Sequence, residues 1–173
     1  MAMIHCYIAA SLDGYIAEPD GGVGWLDPFN ALDYGYKEFV AGLSGVAMGR
    51  HTYEQCLTFG AWPYPGKRCW VVTSRPFQPA SPDTLARPAD FAALAAEWRA
   101  YPQGDIWLVG GASLLQGMLS IGGLDRLELF IMPTLLGDGI PLFAKGGLRQ
   151  PTGLKLDASQ SHPNGVVRLL YSL

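Results

Sequence analysis

Apolar positions along the chain follow two periods, and the switches between them mark the elements. Short runs rich in Val, Ile, Leu and aromatic residues occupy positions 4–10, 45–48, 69–73, 106–109 and 126–133, with two more near 154–160 and 166–171. Most of these runs are nearly continuous rather than alternating, the pattern of strands buried on both faces. Between them the apolar residues fall at helical spacing: Leu32, Tyr36, Phe39, Val40 and Leu43, then Phe91, Leu94, Ala95 and Trp98, then Leu114, Leu115, Met118 and Leu119. A further short helix is predicted directly after Gly49. Strands alternating with helices predict an α/β fold with a central, mostly parallel mixed sheet and helices on both faces. The last two strands are separated only by a turn at 162–165, so they should form an antiparallel hairpin. No repeat or linker interrupts the pattern, and residues 1–173 are expected to form a single domain. The Pro-rich segment 76–88 reads as a surface connection.

Candidate chemistry lies where strands end. The run VAMGRHTYE, residues 46–54, passes from an apolar strand through Gly49 and Arg50 into a helix start. The first N–H groups of a helix have no internal partners and, with an arginine beside them, favour a phosphate. Gly49 is expected to let the backbone turn tightly and a ligand approach closely. The run IWLVGGAS, residues 106–113, repeats the arrangement with Gly110 and Gly111 before a second helix. The run WVVTSRP ends its strand in Thr73, Ser74 and Arg75, with no acidic residue to accept from a free ribose 2′-hydroxyl, which favours NADP over NAD. Segment 9–27, Gly-rich and carrying Asp13, Tyr15 and Trp25, has the size and composition of a mobile lid.

Composition narrows the alternatives. At 173 residues the chain can bury a sizeable core unaided. Lys plus Arg total 12 against 15 Asp plus Glu, a net charge of −3, and no basic run occurs, so a nucleic-acid or anionic-membrane partner lacks its electrostatic footprint. Cys6, Cys56 and Cys69 are odd in number, widely spaced and apolar in setting. They read as reduced core thiols in a cytoplasmic protein, with no metal site expected. No apolar run reaches transmembrane length, and the N-terminal run reads as a first strand rather than a signal peptide. Gly60 to Arg68 is a P-loop look-alike with five residues between its glycines and prolines where a helix should begin.

Taken together, IAASLDGYIA, VAMGRHTYE, PGKRCWVVTSRP and DIWLVGGASLL resemble, in order and spacing, the dihydrofolate reductase-like superfamily. The run LDRLELFIMPTLLGDGIPLF is more similar to one branch, the reductase C-terminal domain of riboflavin-biosynthesis proteins and its stand-alone bacterial relatives. The resemblance implies a three-layer fold and an NADPH-dependent reductase of a small heterocyclic substrate, pterin-like or ribosylaminopyrimidine-like, assembled as a homodimer through its C-terminal strands. It places Gly49, Arg50, His51 and Thr52 on the cofactor phosphates, and Thr73, Ser74 and Arg75 around the 2′-phosphate. Val109, Gly110, Gly111, Ala112, Ser113 and Leu114 would line the nicotinamide and pyrophosphate, with a cis peptide between the two glycines, and Ala9, Ala10 and Ile16 would touch the nicotinamide half.

Such reductases need a proton beside the hydride. Counting back from Gly49 puts the folate-type carboxylate at Asp33, on a helical stripe with Phe29, Tyr36 and Val40. Counting forward from Trp25 lands on Asn30 instead, and the riboflavin-type branch gives weight to Asp13. Trp25 and Asn30 are the expected substrate contacts. The rival from another class is a nucleotide-binding protein of the same fold without turnover.

Overall fold

Strand β1 (Ile4–Ser11) lies inside an eight-stranded sheet, between β6 (Asp105–Gly110) and β7 (Arg126–Met132), and is parallel to both. In the computed structural model, which describes every residue except Gln103 and Arg149, β6 pairs in turn with β3 (Leu43–Gly49), β3 with β4 (Arg68–Val72), and β4 with β5 (Thr84–Arg87), all in parallel. On the other side β7 meets β10 (Val167–Ser172), and β10 meets β9 (Lys155–Ser161), both antiparallel, which is the expected closing hairpin. Asp105 and Asp125 fasten the start of β1: their carboxylates accept from the amides of Met3 and Ile4 at 2.9 and 2.8 Å.

Side chains alternate across this sheet and build a core on each face. Ala47, Trp70, Ile106 and Leu108 pack with Leu94 and Trp98 of α3 (Phe91–Arg99) and Leu114, Leu115 and Met118 of α4 (Ala112–Ser120). Val46, Met48, Cys69, Val71 and Trp107 face the opposite way, toward Tyr53 and Cys56 of α2 (Arg50–Thr58) and Phe39 and Val40 of α1 (Tyr36–Ala41). The three cysteines are free and buried, and burial raises the thiols of Cys6 and Cys69 to about 12, so they are inert core residues.

Three expectations need correction. Segment 76–88 is more than a surface connection, because it contains β5, the sheet's edge strand. That edge is held by Arg87, whose Nε and Nη2 both donate to the Glu97 carboxylate at 2.8 Å, while the Trp70 indole donates to the same carboxylate. Second, the helix expected across 32–43 is only α1, six residues long. Leu43 already belongs to β3, so strand burial overrode the helical spacing at that end. Asp33 therefore lies ahead of the helix instead of on its stripe, and its exposed carboxylate accepts from the Lys37 amide at 3.4 Å. Third, segment 9–27 is not free. It contains β2 (Tyr15–Ala17), paired antiparallel with β8 (Ile140–Pro141), and the start of a 3₁₀ helix, Gly24–Phe29.

Gly45 shows how tightly the central strands are packed. A Cβ there would lie 2.4 Å from the Trp70 ring, 3.0 Å from the Arg68 carbonyl oxygen and 3.1 Å from Ile106. Trp70 is 1% exposed and has nowhere to move. Gly45→Ala is expected to destabilise the fold by about 2 kcal/mol, within the usual overpacking range, as read from the urea midpoint. An unchanged midpoint would show that the sheet yields at this point.

Candidate active site

Helices α2 and α4 follow the adjacent strands β3 and β6, yet they pack on opposite faces of the sheet. Their diverging starts open a crevice at the carboxyl ends of those strands, the position where open α/β sheets hold ligands. Gly49 caps α2 and Gly111 caps α4, and neither helix has a side-chain cap. The leading N–H groups of both helices are thus left for something in the crevice. The two turns almost touch: a Cβ on Gly49 would lie 3.7 Å from the Gly111 amide nitrogen.

The glycines differ in what they contribute. Gly110 has φ 145, which side-chain-bearing residues rarely adopt, and its peptide bond to Gly111 is cis. Gly49 has φ −71 and ψ 161, open to any residue, so the expected tight turn does not explain it. Its contribution is bare backbone facing the crevice. Thr52 Oγ1 lies 3.8 and 3.6 Å from where side chains on Gly110 and Gly111 would begin, and so shares the same space.

The crevice continues as a groove of about 1540 Å³. Pockets for one drug-sized molecule run to about 1,000 Å³, so this groove has room for two ligands side by side. Of the residues singled out in the sequence, Ala9, Ile16, Asn30, Asp33, Gly49, Arg50, His51, Thr52, Val109, Gly110, Gly111, Ala112, Ser113 and Leu114 line it. Others are placed elsewhere. Ala10 is buried in the core on the α4 face. Thr73, Ser74 and Arg75 sit just past Val72, the last groove-lining residue of β4, with the Arg75 amide donating to Thr73 Oγ1 at 3.1 Å. Trp25 packs with Phe130, Met132 and Val166, leaving Leu26 and Phe29 as the groove residues of its turn. Arg50 is partly committed: Nε donates to Glu54 at 2.6 Å and Nη1 to the Pro76 carbonyl at 2.8 Å, which steadies the segment after β4.

Asp13 is drawn away from the groove altogether. Its carboxylate accepts from Ser11 Oγ at 2.6 Å and from the amides of Leu136 and Gly137 at 3.1 and 2.7 Å, and these bonds, the serine first, hold its pKa below the ordinary carboxylate value. It works as a latch. With the β2–β8 pair it holds the strip carrying Ile16 over the groove, and on the other side Gln55 Nε2 donates to the Gly21 carbonyl at 2.9 Å.

The sequence reading missed Tyr7, Tyr36 and Trp107, which wall the end of the groove beyond the glycines. All three lie in apolar periodicities and read as core. The available signal was the strand alternation that turns Tyr7 and Trp107 to the face covered by α1, where Tyr36 is the first helical residue. The outer wall there is segment 29–34, held by Tyr34. That residue has φ 53, a left-handed backbone that costs a non-glycine residue on the order of 1–3 kcal/mol. Its hydroxyl donates to the Phe29 carbonyl at 2.9 Å and accepts from the side-chain amide of Asn164 in the C-terminal hairpin turn.

Comparison with known proteins assigns the architecture. The model of the RibD C-terminal domain matches residues 66–168. YwjB of Bacillus subtilis (strain 168) is 33% identical over 162 residues, spanning 92% of each chain. The chain belongs to the RibD C-terminal domain family. A crystal structure from Shewanella sp. PV-4, of a protein named for riboflavin biosynthesis, superposes with a TM-score of 0.86 at 26% identity, covering 99% of this chain and 98% of that one. The diaminohydroxyphosphoribosylaminopyrimidine deaminase/5-amino-6-(5-phosphoribosylamino)uracil reductase of Thermotoga maritima shares the fold, with a TM-score of 0.70 at 16% identity over 99% of this chain and 56% of its own. The fold is thus the dihydrofolate reductase-like three-layer fold of RibD reductase domains. Among the described residues no helix is long and apolar enough to cross a membrane.

Within this RibD-type domain the latch is independently testable. A depressed carboxyl pKa means the latch is fully formed above the ordinary value of 3.8 and is lost as pH falls through the lower folded-state value. The protection of the Leu136 and Gly137 amides against exchange, taken relative to the intrinsic rate at each pH, should stay high at pH 5 and above, and Asp13→Ala should lower it at neutral pH. Equal exchange in the two proteins would mean that the segment is held by other contacts.

Proposed function

We propose that this protein is an NADPH-dependent reductase of a small heterocyclic substrate. The observation that carries this reading is the pair of glycine-capped helix starts from adjacent strands, opening into a groove large enough for two ligands. A dinucleotide needs such a place, with N–H donors for its pyrophosphate and a backbone free of side chains where its rings approach. The arginine-bearing strand end beside it suits a 2′-phosphate. The reductase named among the fold's solved members supports the same class of reaction.

In this proposal Gly49, Arg50, His51 and Thr52 hold phosphates from one side and the turn from Val109 to Leu114 holds them from the other. Arg75, exposed and outside any ion pair among the described residues, reaches the 2′-phosphate. Bound there, NADPH supplies a hydride to the neighbouring ligand. The chain supplies what is left: Ala9, Ile16 and the latched strip above them exclude water and hold the rings in register, and Asp33, at the groove mouth and open to solvent, passes the accompanying proton. Asp13 takes no part in this chemistry. We further propose that two copies associate through their C-terminal strands, where β9 presents Leu156 half-exposed.

Nicotinamide fluorescence titration should show NADPH binding at least tenfold more tightly than NADH, a preference that Arg75→Ala reduces to within about threefold. Losing a hydrogen bond to a charged group, about 1.5–3 kcal/mol, has an effect of that size. Equal affinities in the wild-type protein would remove Arg75 from this role. Across a panel of dihydrofolate, pterins and pyrimidine ribosides, at least one compound should drive NADPH oxidation. Asp33→Asn should then lower kcat about a hundredfold with NADPH affinity within twofold. Saturable NADPH binding with no oxidation by any compound would instead mark a binding module.

A further inference from the structure

The chemistry of the groove's inner end narrows what its second ligand can be. Tyr7, Tyr36 and Trp107 meet there as a cluster of rings: Tyr36 lies 5.9 Å from Trp107, edge to face, and Tyr7 lies 6.1 Å from each of them. Phe39 stacks on Tyr7 at 4.6 Å from behind and fixes it in place. Among the described residues lining the groove, the lysines and arginines are Lys37 and Arg50, and Arg50 is already tied to Glu54 and Pro76 at the opposite end. The carboxylates lining it are Asp20 and Asp33, both exposed to solvent. A phosphate brought to the aromatic end would leave water for one exposed lysine. A cationic, amidine-like ring edge would find no unpaired buried carboxylate, since Glu128, which acts on Tyr7 from outside the groove, is already held by Arg168. Either charge costs several kcal/mol to bury unpaired, whereas a flat neutral ring gains about 1–3 kcal/mol by stacking on an aromatic side chain.

We propose that the second ligand of this groove is a flat, conjugated, uncharged ring without a phosphate group, held against Tyr36 and Trp107. This rests on the reading of the groove as a two-ligand site. Burial raises the phenols of Tyr7 and Tyr36, so at neutral pH both carry their protons and offer no charge to such a ring. Tyr7 donates to the Tyr34 carbonyl at 3.3 Å, which orients its hydroxyl along the wall. A ribosyl phosphate substituent on the ring, or the dianionic tail of a folate, would have to remain outside in solvent.

Isothermal titration calorimetry of the full chain, alone and saturated with NADPH, tests this with four probes: menadione and lumazine as neutral rings, 5-aminoimidazole-4-carboxamide ribotide and dihydrofolate as anionic ones. The neutral rings should bind at least tenfold more tightly than the ribotide. Tyr36→Leu should weaken them at least fivefold while leaving NADPH affinity within twofold. Trp107→Leu should do the same, and because Trp107 is nearly buried, the half-exposed Tyr36 decides the matter if that variant does not fold. Ribotide binding tighter than both neutral rings and lost in Lys37→Ala would overturn the proposal. So would neutral-ring affinity unchanged in Tyr36→Leu, or no binding of either neutral ring. Ring binding without any NADPH binding would leave this inference standing and remove the reductase reading instead.

Discussion

A helix leaves its first N–H groups without partners, and in this fold two helices leave them in one place. That follows from strand order. Because β6 inserts beside β3 instead of beyond β4, the starts of α2 and α4 become neighbours, and because the helices pack on opposite faces, a groove opens between them. Unsatisfied donors buried together would be costly. The groove keeps them reachable by solvent or ligand, and the glycine caps ensure that no side chain blocks access.

Everything else near the groove positions its walls around that point. Gly45 leaves room for the Trp70 ring beside β3, and Trp70 in turn reaches the Glu97 carboxylate that grips Arg87 on the edge strand. Arg50 and Tyr53 of α2 hold the segment after β4 by its backbone, Tyr53 donating to the Gln78 carbonyl at 3.1 Å. The segment after β4, beside the groove, is therefore fastened by side chains from a regular element. This is how a loop can present groups accurately without a core of its own.

How much of this could be read from the sequence depended on whether a signal was local. The runs at 45–49 and 106–113 announced themselves because strand ending, glycine and helix start are adjacent in sequence, and the resemblance of those runs to one superfamily led to the correct architecture. Strand β5 was hidden: its four residues sit among prolines and acquire strand character only by pairing with β4. The Asp13 latch was equally illegible, since its partners Leu136 and Gly137 lie more than a hundred positions away. The positions of Trp25, packed away from the groove, and Trp107, on its wall, were hidden for the same reason. A tryptophan in a Gly-rich loop looks like a ligand contact and one in an apolar run looks like core, but which of them faces the groove is decided by the stacking of Phe39 and Tyr7 around the second and by the packing of Val166 over the first.

The bond from Asn164 to Tyr34 gives the far end of the chain a share in the groove. The hairpin that carries Asn164 lies at the opposite end of the sheet from β3 and β4, yet it braces the strained residue on which the outer wall turns. The walls of the groove thus have separate foundations, one laid by the parallel strands and one leaning on the antiparallel pair. A variant that loosened only the hairpin turn would keep the pair of glycine-capped helix starts and lose the wall beside them.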